Sequence, residues 1–167
     1  MLTGGHPNSL GRTLEVVELV LKNTKKLAEL YSCYSSKDEV VRLRVSNCFK
    51  RITRTHKKLV VPYIDKFHSE ISKINQPSTM WTLATLFDEL KSEMSPAQIA
   101  LSKKIMKKNL QNSTDWIVLN TTMQVLFDWA RDDGRLRSWL KPHLQKFTKE
   151  TRKSVANRAV KLLKEYK

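Results

Sequence analysis

The residue types that most often carry catalysis or bind metals are few in this sequence and poorly spaced for either task. The four histidines have no mutual spacing that suits a metal site, and no cysteine cluster accompanies them. Gly4 and Gly5 are not followed by the Lys and Ser or Thr of a phosphate-binding loop. No segment resembles a nucleophile elbow. The sequence identifies no catalytic residue, and we expect neither a metal nor a cofactor.

Net charge is the chemical feature that stands out. Lys and Arg number 31 against 16 Asp and Glu, a formal charge of +15. Such an excess attracts polyanions, because neutralising phosphates supplies most of the non-specific energy of nucleic-acid binding. Residues 42–58 hold seven Lys and Arg and no acid, and residues 135–167 hold eleven against two acids. We expect an acidic partner, with nucleic acid (DNA or RNA) favoured over an acidic protein.

Cysteine spacing and hydropathy indicate the cellular compartment of the protein. Cys33 and Cys48 lack CxxC spacing and lie within apolar helical patterns, so both are predicted to be reduced packing residues. The N-terminal residues contain no apolar signal region, and no stretch approaches the roughly 18 apolar residues of a membrane span. We expect a cytoplasmic protein without membrane contact, and the oligomeric state is left open.

The elements that would position a binding site repeat along the chain. Residues 59–67 and 139–147 share Pro, an aliphatic residue, Lys and Phe at the same spacing, at an offset of 80. This offset equals two units of about 40 residues, a length typical of helical repeats. Apolar residues also recur at i, i+3, i+4 and i+7, which predicts the buried stripe of one helix per unit. The four stripes are Val45, Cys48, Phe49 and Ile52; Leu83, Leu86, Phe87 and Leu90; Thr122, Val125, Leu126 and Trp129; and Ala156, Ala159, Val160 and Leu163.

Residues 139–163 resemble a HEAT repeat: a first helix with an early Pro142 among aliphatic residues, a short polar turn and a second apolar helix. Pro62 matches the same pattern in an earlier unit, whereas the third unit lacks this proline. The resemblance covers about residues 23–167 and implies an all-α fold, a right-handed α–α superhelix of about four two-helix repeats in a single domain. We place the repeats at 23–56, 57–93, 95–132 and 136–167, after an N-terminal capping helix at 12–22 and a disordered or extended segment at 1–11.

Turn and capping residues separate the predicted helices. Because each unit leaves one apolar face bare, we expect the four units to stack into one continuous core. A three- or four-helix bundle is the alternative fold. The capping and turn residues are Ser36 and Asp38, Pro77 and Ser78, Ser95 and Pro96, Ser113 and Thr114, and Asp133 and Gly134.

In HEAT-like arrays the second helix of each repeat lines the concave side, so the resemblance implies which positions meet a ligand. Positions opposite each apolar stripe are predicted to be wet. Trp81 and Phe127 fall there, and exposed aromatic rings beside cations would suit an unstacked base with its phosphates; the alternative is that Trp81 packs against a neighbouring helix. The predicted binding face comprises Trp81, Asp88, Asn120, Gln124, Phe127 and Arg131 at its centre and Lys50, Arg54, Arg158 and Lys161 at its flanks.

These observations favour a non-catalytic binding module with a basic, curved helical-repeat surface. A protein–protein interaction adaptor or scaffold is one alternative. Another is a HEAT-like DNA glycosylase for alkylated bases, since such enzymes work from a basic groove containing Trp and Asp, and Trp81 with Asp88 is similar in kind; no local motif of that family matches. Lysines 103, 104, 107 and 108 are assigned to a solvated outer face.

Overall fold

The computed structural model describes residues 1–6 and 9–166 of the chain. All regular structure in these residues is helical, which confirms the predicted all-α class, and no strand occurs among them. None of the helices within these ranges is both long and apolar enough to cross a membrane. The α-helices are α1 (Thr13–Lys22), α2 (Lys26–Ser32), α3 (Glu39–Val60), α4 (Ile64–Ser69), α5 (Pro77–Leu90), α6 (Pro96–Asn112), α7 (Trp116–Trp129), α8 (Gly134–Phe147) and α9 (Lys153–Glu165).

The chain divides into two compact units, Met1–Ile99 (unit 1) and Ala100–Lys167 (unit 2). Unit 1 contains α1 to α5 and the first residues of α6. Unit 2 contains the rest of α6 together with α7, α8 and α9. The division lies within a few residues of the predicted boundary between the second and third repeats.

Helix starts are determined by groups that satisfy or remove the free amides of the first turn. Ahead of α3, Asp38 accepts a hydrogen bond from the amide of Val40 at 2.8 Å. Pro77 and Pro96 are the first residues of α5 and α6. An N–H at this position has no partner within the helix, so proline costs no hydrogen bond there. These starts agree with the predicted ones. Ahead of α7 the capping residue is Asp115, just after the predicted turn.

Asp133 caps α8 and also binds α6. Its carboxylate accepts from the amide of Leu136 at 2.9 Å and from Lys103 Nζ at 2.6 Å. The hydrogen bond from Lys103, followed by that from the Leu136 amide, lowers the pKa of Asp133. Because the ionised carboxylate is the bonded form, this contribution to stability is present above the pKa of the unfolded state and is lost as the pH falls through the folded pKa.

We therefore expect Asp133→Ala to lower the free energy of unfolding by about 1 kcal/mol near neutral pH, the usual cost of losing an N-terminal cap. The difference from wild type should shrink below about pH 4, where the unfolded carboxyl is protonated. Urea unfolding at several pH values measures both effects. Asp132→Ala is the matched control, because Asp132 is the exposed neighbour that does not cap the helix; an equal loss in both variants would refute the capping role.

In unit 1 the predicted stripes of α3 and α5 are buried, and aromatic rings fill the core beside them. Phe49 on α3 is fully buried, and its ring lies 5.6 to 6.1 Å from four other rings. Edge and offset contacts between aromatic rings contribute stability in addition to that of the apolar area they bury. The aromatic cluster of unit 1 consists of Phe49, Tyr31, Tyr34, Tyr63 and Phe67.

Helix α3 bends at His56, whose backbone (φ −138°, ψ 53°) is not helical. The bend separates the part of α3 that carries the apolar stripe from residues 57–69. Within the later part, Pro62 lies in a short 3-10 turn that leads into α4. The predicted boundary between the first two repeats, at 56 and 57, coincides with this bend.

The described part of the N-terminal segment packs on α3 through Arg44. This arginine is only 1% exposed. Its guanidinium donates to the backbone carbonyls of Leu2 at 2.8 Å, Gly4 at 2.6 Å and Ser9 at 3.1 Å. The described residues of the segment predicted to be disordered or extended, 1–6 and 9–11, therefore lie around a buried cation. Arg44 is an interior residue, although the run of cations at 42–58 made it a candidate for the basic surface.

In unit 2 the predicted stripe of α7 is buried, but that of α9 is displaced. Val155, Ala159 and Leu162 are fully buried, whereas Val160 is 38% exposed. The prediction for this helix is therefore wrong by one residue, or about 100° around the helix. Helix α9 has apolar residues across a broad arc and contacts both α7 and α8. Periodicity alone could not locate the centre of that arc.

Candidate functional site

The unit 1 part of the predicted face lies where α3 packs beside α5. Arg54 donates from Nε to Glu89 Oε1 at 2.7 Å, joining the two helices. Lys50 is half-buried; this burial, with the nearby Arg54 and Arg51 charges, lowers its pKa, while the charge of Glu89 opposes the shift. Glu89 is therefore the counter-ion of Arg54, which removes one of the two predicted cations of this unit from use by an outside anion.

Trp81 and Asp88 lie on one face of α5, because seven residues make about two helical turns. Trp81 is half-buried, and its carbonyl accepts from the Thr85 hydroxyl at 3.1 Å. Asp88 is exposed. Trp81 thus falls between the two interpretations of the sequence, since part of the indole packs and part of it faces solvent.

The unit 2 part of the predicted face lies where α7 packs beside α9. Arg158 donates to Gln124 Oε1 at 2.7 Å, and Gln124 in turn donates to Asp128 Oδ2 at 3.0 Å. Arg131 pairs with Glu165 at 3.4 Å and with Asp128 at 3.6 Å. The structure therefore brings together the predicted residues of these two helices, and acids neutralise much of their charge.

Phe127 does not face solvent, so the prediction that it lies on a wet face is wrong. It is 2% exposed, and the ring of Tyr166 covers it at a centroid distance of 4.5 Å. The Arg131 guanidinium lies over the same ring at 5.5 Å. Tyr166 follows the end of α9, so the burial depends on a residue remote in sequence. No pattern within α7 could reveal it.

Asn120 and Lys161 are the remaining residues of the predicted binding face in unit 2. Asn120 is half-buried, and its Oδ1 has no hydrogen-bond partner among the residues that the structure describes. Lys161 is exposed. In each unit, the predicted positions chiefly hold neighbouring helices together. Arg158, bonded to a neutral amide, and Lys161 are the predicted cations that best retain their charge for a ligand.

Positive charge is concentrated in unit 2. Its 68 residues hold sixteen Lys and Arg against six Asp and Glu, which is +10 of the total +15. On α6, Lys103 is neutralised by Asp133 at 2.6 Å, while Lys104 and Lys108 are exposed. Lys107 Nζ lies 4.6 Å from the ring centroid of Trp139 on α8. The lysines assigned to a solvated outer face thus partly belong to a packed polar surface between α6 and α8.

An open groove of about 820 Å³ lies beside that surface. His143 stacks on Trp139 with ring centroids 4.0 Å apart. Its Nδ1 is 2.8 Å from the Trp139 carbonyl, an acceptor only, so Nδ1 carries the proton of the neutral ring. Nε2 therefore accepts from the Gln111 amide at 3.5 Å. The groove lining includes Gln111, Thr114, His143, Lys146, Phe147 and Lys149.

One acid lines this groove, and an arginine holds it. Arg152 donates to Glu150 at 2.9 Å and also binds the Thr114 carbonyl. The hydrogen bond from Arg152 lowers the pKa of Glu150 to about 2. Lys146 and Lys149 are exposed, and no ion pair in the described part of the chain involves them. The groove thus combines a partly apolar floor with uncompensated cations on its rim.

The sequence prediction missed this groove because it followed the second helices of the predicted repeats. The signal that could have found it is the offset of 80 residues between similar segments. At this offset Tyr31 and Tyr63 correspond to Gln111 and His143, which are smaller polar side chains than tyrosine.

The histidines, acids and cysteines of the described residues were compared with the requirements of metal and thiol sites. No group of three or more His, Cys, Asp or Glu side chains there could hold a metal ion. Cys33 is half-exposed and Cys48 is buried, and both are free thiols. Burial raises the pKa of Cys48 to about 12, which disfavours the reactive thiolate. Comparison with protein-family models, with curated proteins and with solved structures found no match to this chain.

Proposed function

We propose that this protein is a non-catalytic binding module that uses a basic helical surface to bind nucleic acid. The observation that carries the proposal is the concentration of +10 in unit 2, with cations on α6, α8 and α9 that form no ion pair with any acid among the described residues. Such a surface attracts a polyanion because each phosphate contact releases condensed counterions. A cytoplasmic location is part of the proposal.

The proposal includes a HEAT-like architecture, a right-handed superhelix of about four two-helix repeats with α1 as its capping helix. Three features support it. The apolar stripes of α3, α5 and α7 are buried in the predicted register. The second helices of consecutive predicted repeats pack together, α3 with α5 and α7 with α9. The bend at His56 falls at a predicted repeat boundary.

The two alternatives differ in their support. An acidic protein partner would use the same cations, and the exposed Trp116 and Leu101 of unit 2 would suit such an interface. The DNA glycosylase alternative gains nothing from the geometry, because Asp88 is exposed instead of enclosed beside Trp81. A base-excising carboxylate requires a pocket that encloses the flipped base.

We expect the protein to bind labelled oligonucleotides with an affinity that falls steeply with salt. If about four lysines contact phosphates, the slope of log K against log salt for a single strand should be close to −3. Between about 50 and about 200 mM salt this corresponds to a loss of roughly 60-fold. Fluorescence anisotropy over a salt series measures both quantities.

An uncharged polymer of similar size serves as the negative control, and heparin serves as a polyanion without bases. Absence of binding to both single-stranded and duplex nucleic acid at low salt would remove the proposed function. Retention of an acidic protein under the same conditions would then favour the adaptor.

A further inference from the structure

The groove of unit 2 corresponds to the space that the aromatic cluster fills in unit 1. The correspondence follows from the offset of 80 residues between residues 59–67 and 139–147. In both units, the residues paired by this offset gather at one place, a packed cluster in unit 1 and an open groove in unit 2. The pairs are Tyr31 with Gln111, Tyr34 with Thr114, Tyr63 with His143, Lys66 with Lys146, Phe67 with Phe147 and Glu70 with Glu150.

In unit 1 rings and a cation occupy this space together. The ring of Tyr31 lies 5.1 Å from that of Tyr63 and 6.5 Å from that of Phe67. Lys66 Nζ lies over the Tyr31 and Tyr63 rings at 5.1 and 5.8 Å. The Tyr31 hydroxyl donates to Glu70 at 2.9 Å. The arrangement shows that this position in the helical unit accepts flat rings beneath a lysine.

In unit 2 the floor and the cation remain, but the counterparts of Tyr31 and Tyr34 have no ring. Phe147 and Lys146 are retained in the lining, whereas Gln111 and Thr114 replace two tyrosines with smaller polar groups. His143 replaces the third, and it is drawn onto Trp139 by stacking. The volume that tyrosine rings occupy in unit 1 is therefore open, which explains why a groove exists here.

We infer that the groove binds an unstacked base of a single-stranded nucleic acid, with the adjoining phosphates on Lys146 and Lys149. This inference rests on the proposed function and adds the site and the ligand class. A base supplies the flat ring that the groove lacks beside Phe147, and base stacking on aromatic side chains is tolerant of sequence. Gln111 and Thr114 offer polar groups to the edge of the base. The uncompensated lysines match the charge of the backbone.

The geometry also distinguishes single strands from duplexes. A base can enter the groove only when it leaves its own stack, and a duplex loses pairing and stacking energy in order to release one. A flexible single strand loses much less. RNA and DNA share the chemistry that the groove recognises, so both single strands should bind, and duplexes should bind only through the general charge of the surface.

The most direct test is to restore the unit 1 side chains in the groove with Gln111→Tyr and His143→Tyr together. The double variant fills the space while every Lys and Arg is kept. We expect its affinity for oligothymidylate and oligouridylate to fall by about tenfold, as for the loss of one stacked base. Binding to a duplex and to heparin should be unchanged. Anisotropy titrations at one fixed salt concentration measure all four ligands.

A second pair of variants tests the phosphate contacts and does not depend on refilling the groove. Lys146→Ala with Lys149→Ala removes two cations at the groove, and Lys22→Ala with Lys25→Ala removes two exposed cations of unit 1, outside the proposed surface. Both pairs change the net charge equally. The groove pair should reduce the salt slope for single strands by about 1.4, or two phosphates, and the unit 1 pair by much less.

The outcomes separate this inference from the proposed function. If the wild-type protein binds no polyanion, the function itself fails. If it binds but the filled variant keeps full affinity for single strands, or both lysine pairs lose affinity equally, the groove is not the site and only the inference fails. Tight binding of the wild type to an aromatic acidic peptide, with none to oligonucleotides, would also overturn it in favour of a protein ligand.

Discussion

Phe49→Ala should lower the free energy of unfolding by about 3 to 5 kcal/mol, the usual cost of removing a fully buried phenylalanine ring. Phe49 has no exposed surface, and its ring contacts those of Tyr31, Tyr34, Tyr63 and Phe67. Alanine would leave a cavity at the point where α3 meets the helices on either side of it. The surrounding rings are held by one another and can collapse only partly into that space.

Urea unfolding followed by circular dichroism measures this loss, with the near-ultraviolet tyrosine signal reporting on the cluster itself. Phe49→Leu is the control, since it retains most of the apolar volume and should cost less than half as much. Phe147→Ala offers a second comparison, because this half-exposed residue lines the open groove and should cost far less than Phe49→Ala. Equal losses for Phe49→Ala and Phe147→Ala would contradict the difference between cluster and groove.

Arg44→Ala is expected to lower the free energy of unfolding by about 2 to 4 kcal/mol, because it removes charge-assisted hydrogen bonds at a buried site. The guanidinium holds the carbonyls of Leu2, Gly4 and Ser9, so the N-terminal segment should detach when it is removed. Detachment lets these carbonyls bind water, which limits the loss. Urea unfolding gives the energy, and amide hydrogen exchange at residues 1–6 reports detachment of the segment.

Two variants sharpen the test of Arg44. Arg54→Ala removes an arginine whose side chain is 57% exposed and should cost at most about 1 kcal/mol. Gly11→Ala leaves Arg44 in place but would set a Cβ 2.9 Å from its Cζ, at a backbone φ of +51° that favours glycine. It should therefore loosen the same segment. Unchanged hydrogen exchange in both Arg44→Ala and Gly11→Ala would show that Arg44 does not anchor the N-terminus.

Much of the helical framework could be predicted from sequence because its causes are local. Asp38, Pro77, Pro96 and Asp133 act on amides within one turn of themselves, so they identify helix starts without knowledge of the fold. Helical periodicity located the stripes of α3, α5 and α7 correctly, and all their members are buried. On α9 two adjacent sets of apolar residues, at 155, 159 and 162 and at 156, 160 and 163, both follow the helical period, and the prediction was centred one residue too far along the chain.

The candidate site was harder to predict, because exposure and charge depend on neighbours that are remote in sequence. Phe127 lies opposite the apolar stripe of α7, which indicated an exposed position, yet Tyr166 covers it. Arg54 and Arg131 counted as free cations in the sequence, yet Glu89 and Glu165 neutralise them across helix pairs. No local sequence pattern on α6 or α8 predicts that Gln111 and His143 line a groove.

Spacing and composition along the chain are enough to predict the all-α class, the helix starts, the buried stripes of three helices and the excess of positive charge. Where that charge can act depends on the packing of the helices. The tertiary structure buried Arg44 among carbonyls, paired Arg54 and Arg131 with acids, and left Lys146 and Lys149 uncompensated beside an open groove. The physical reason is that desolvation and ion pairing act over a few ångströms in space, between side chains that the helical periodicity cannot relate.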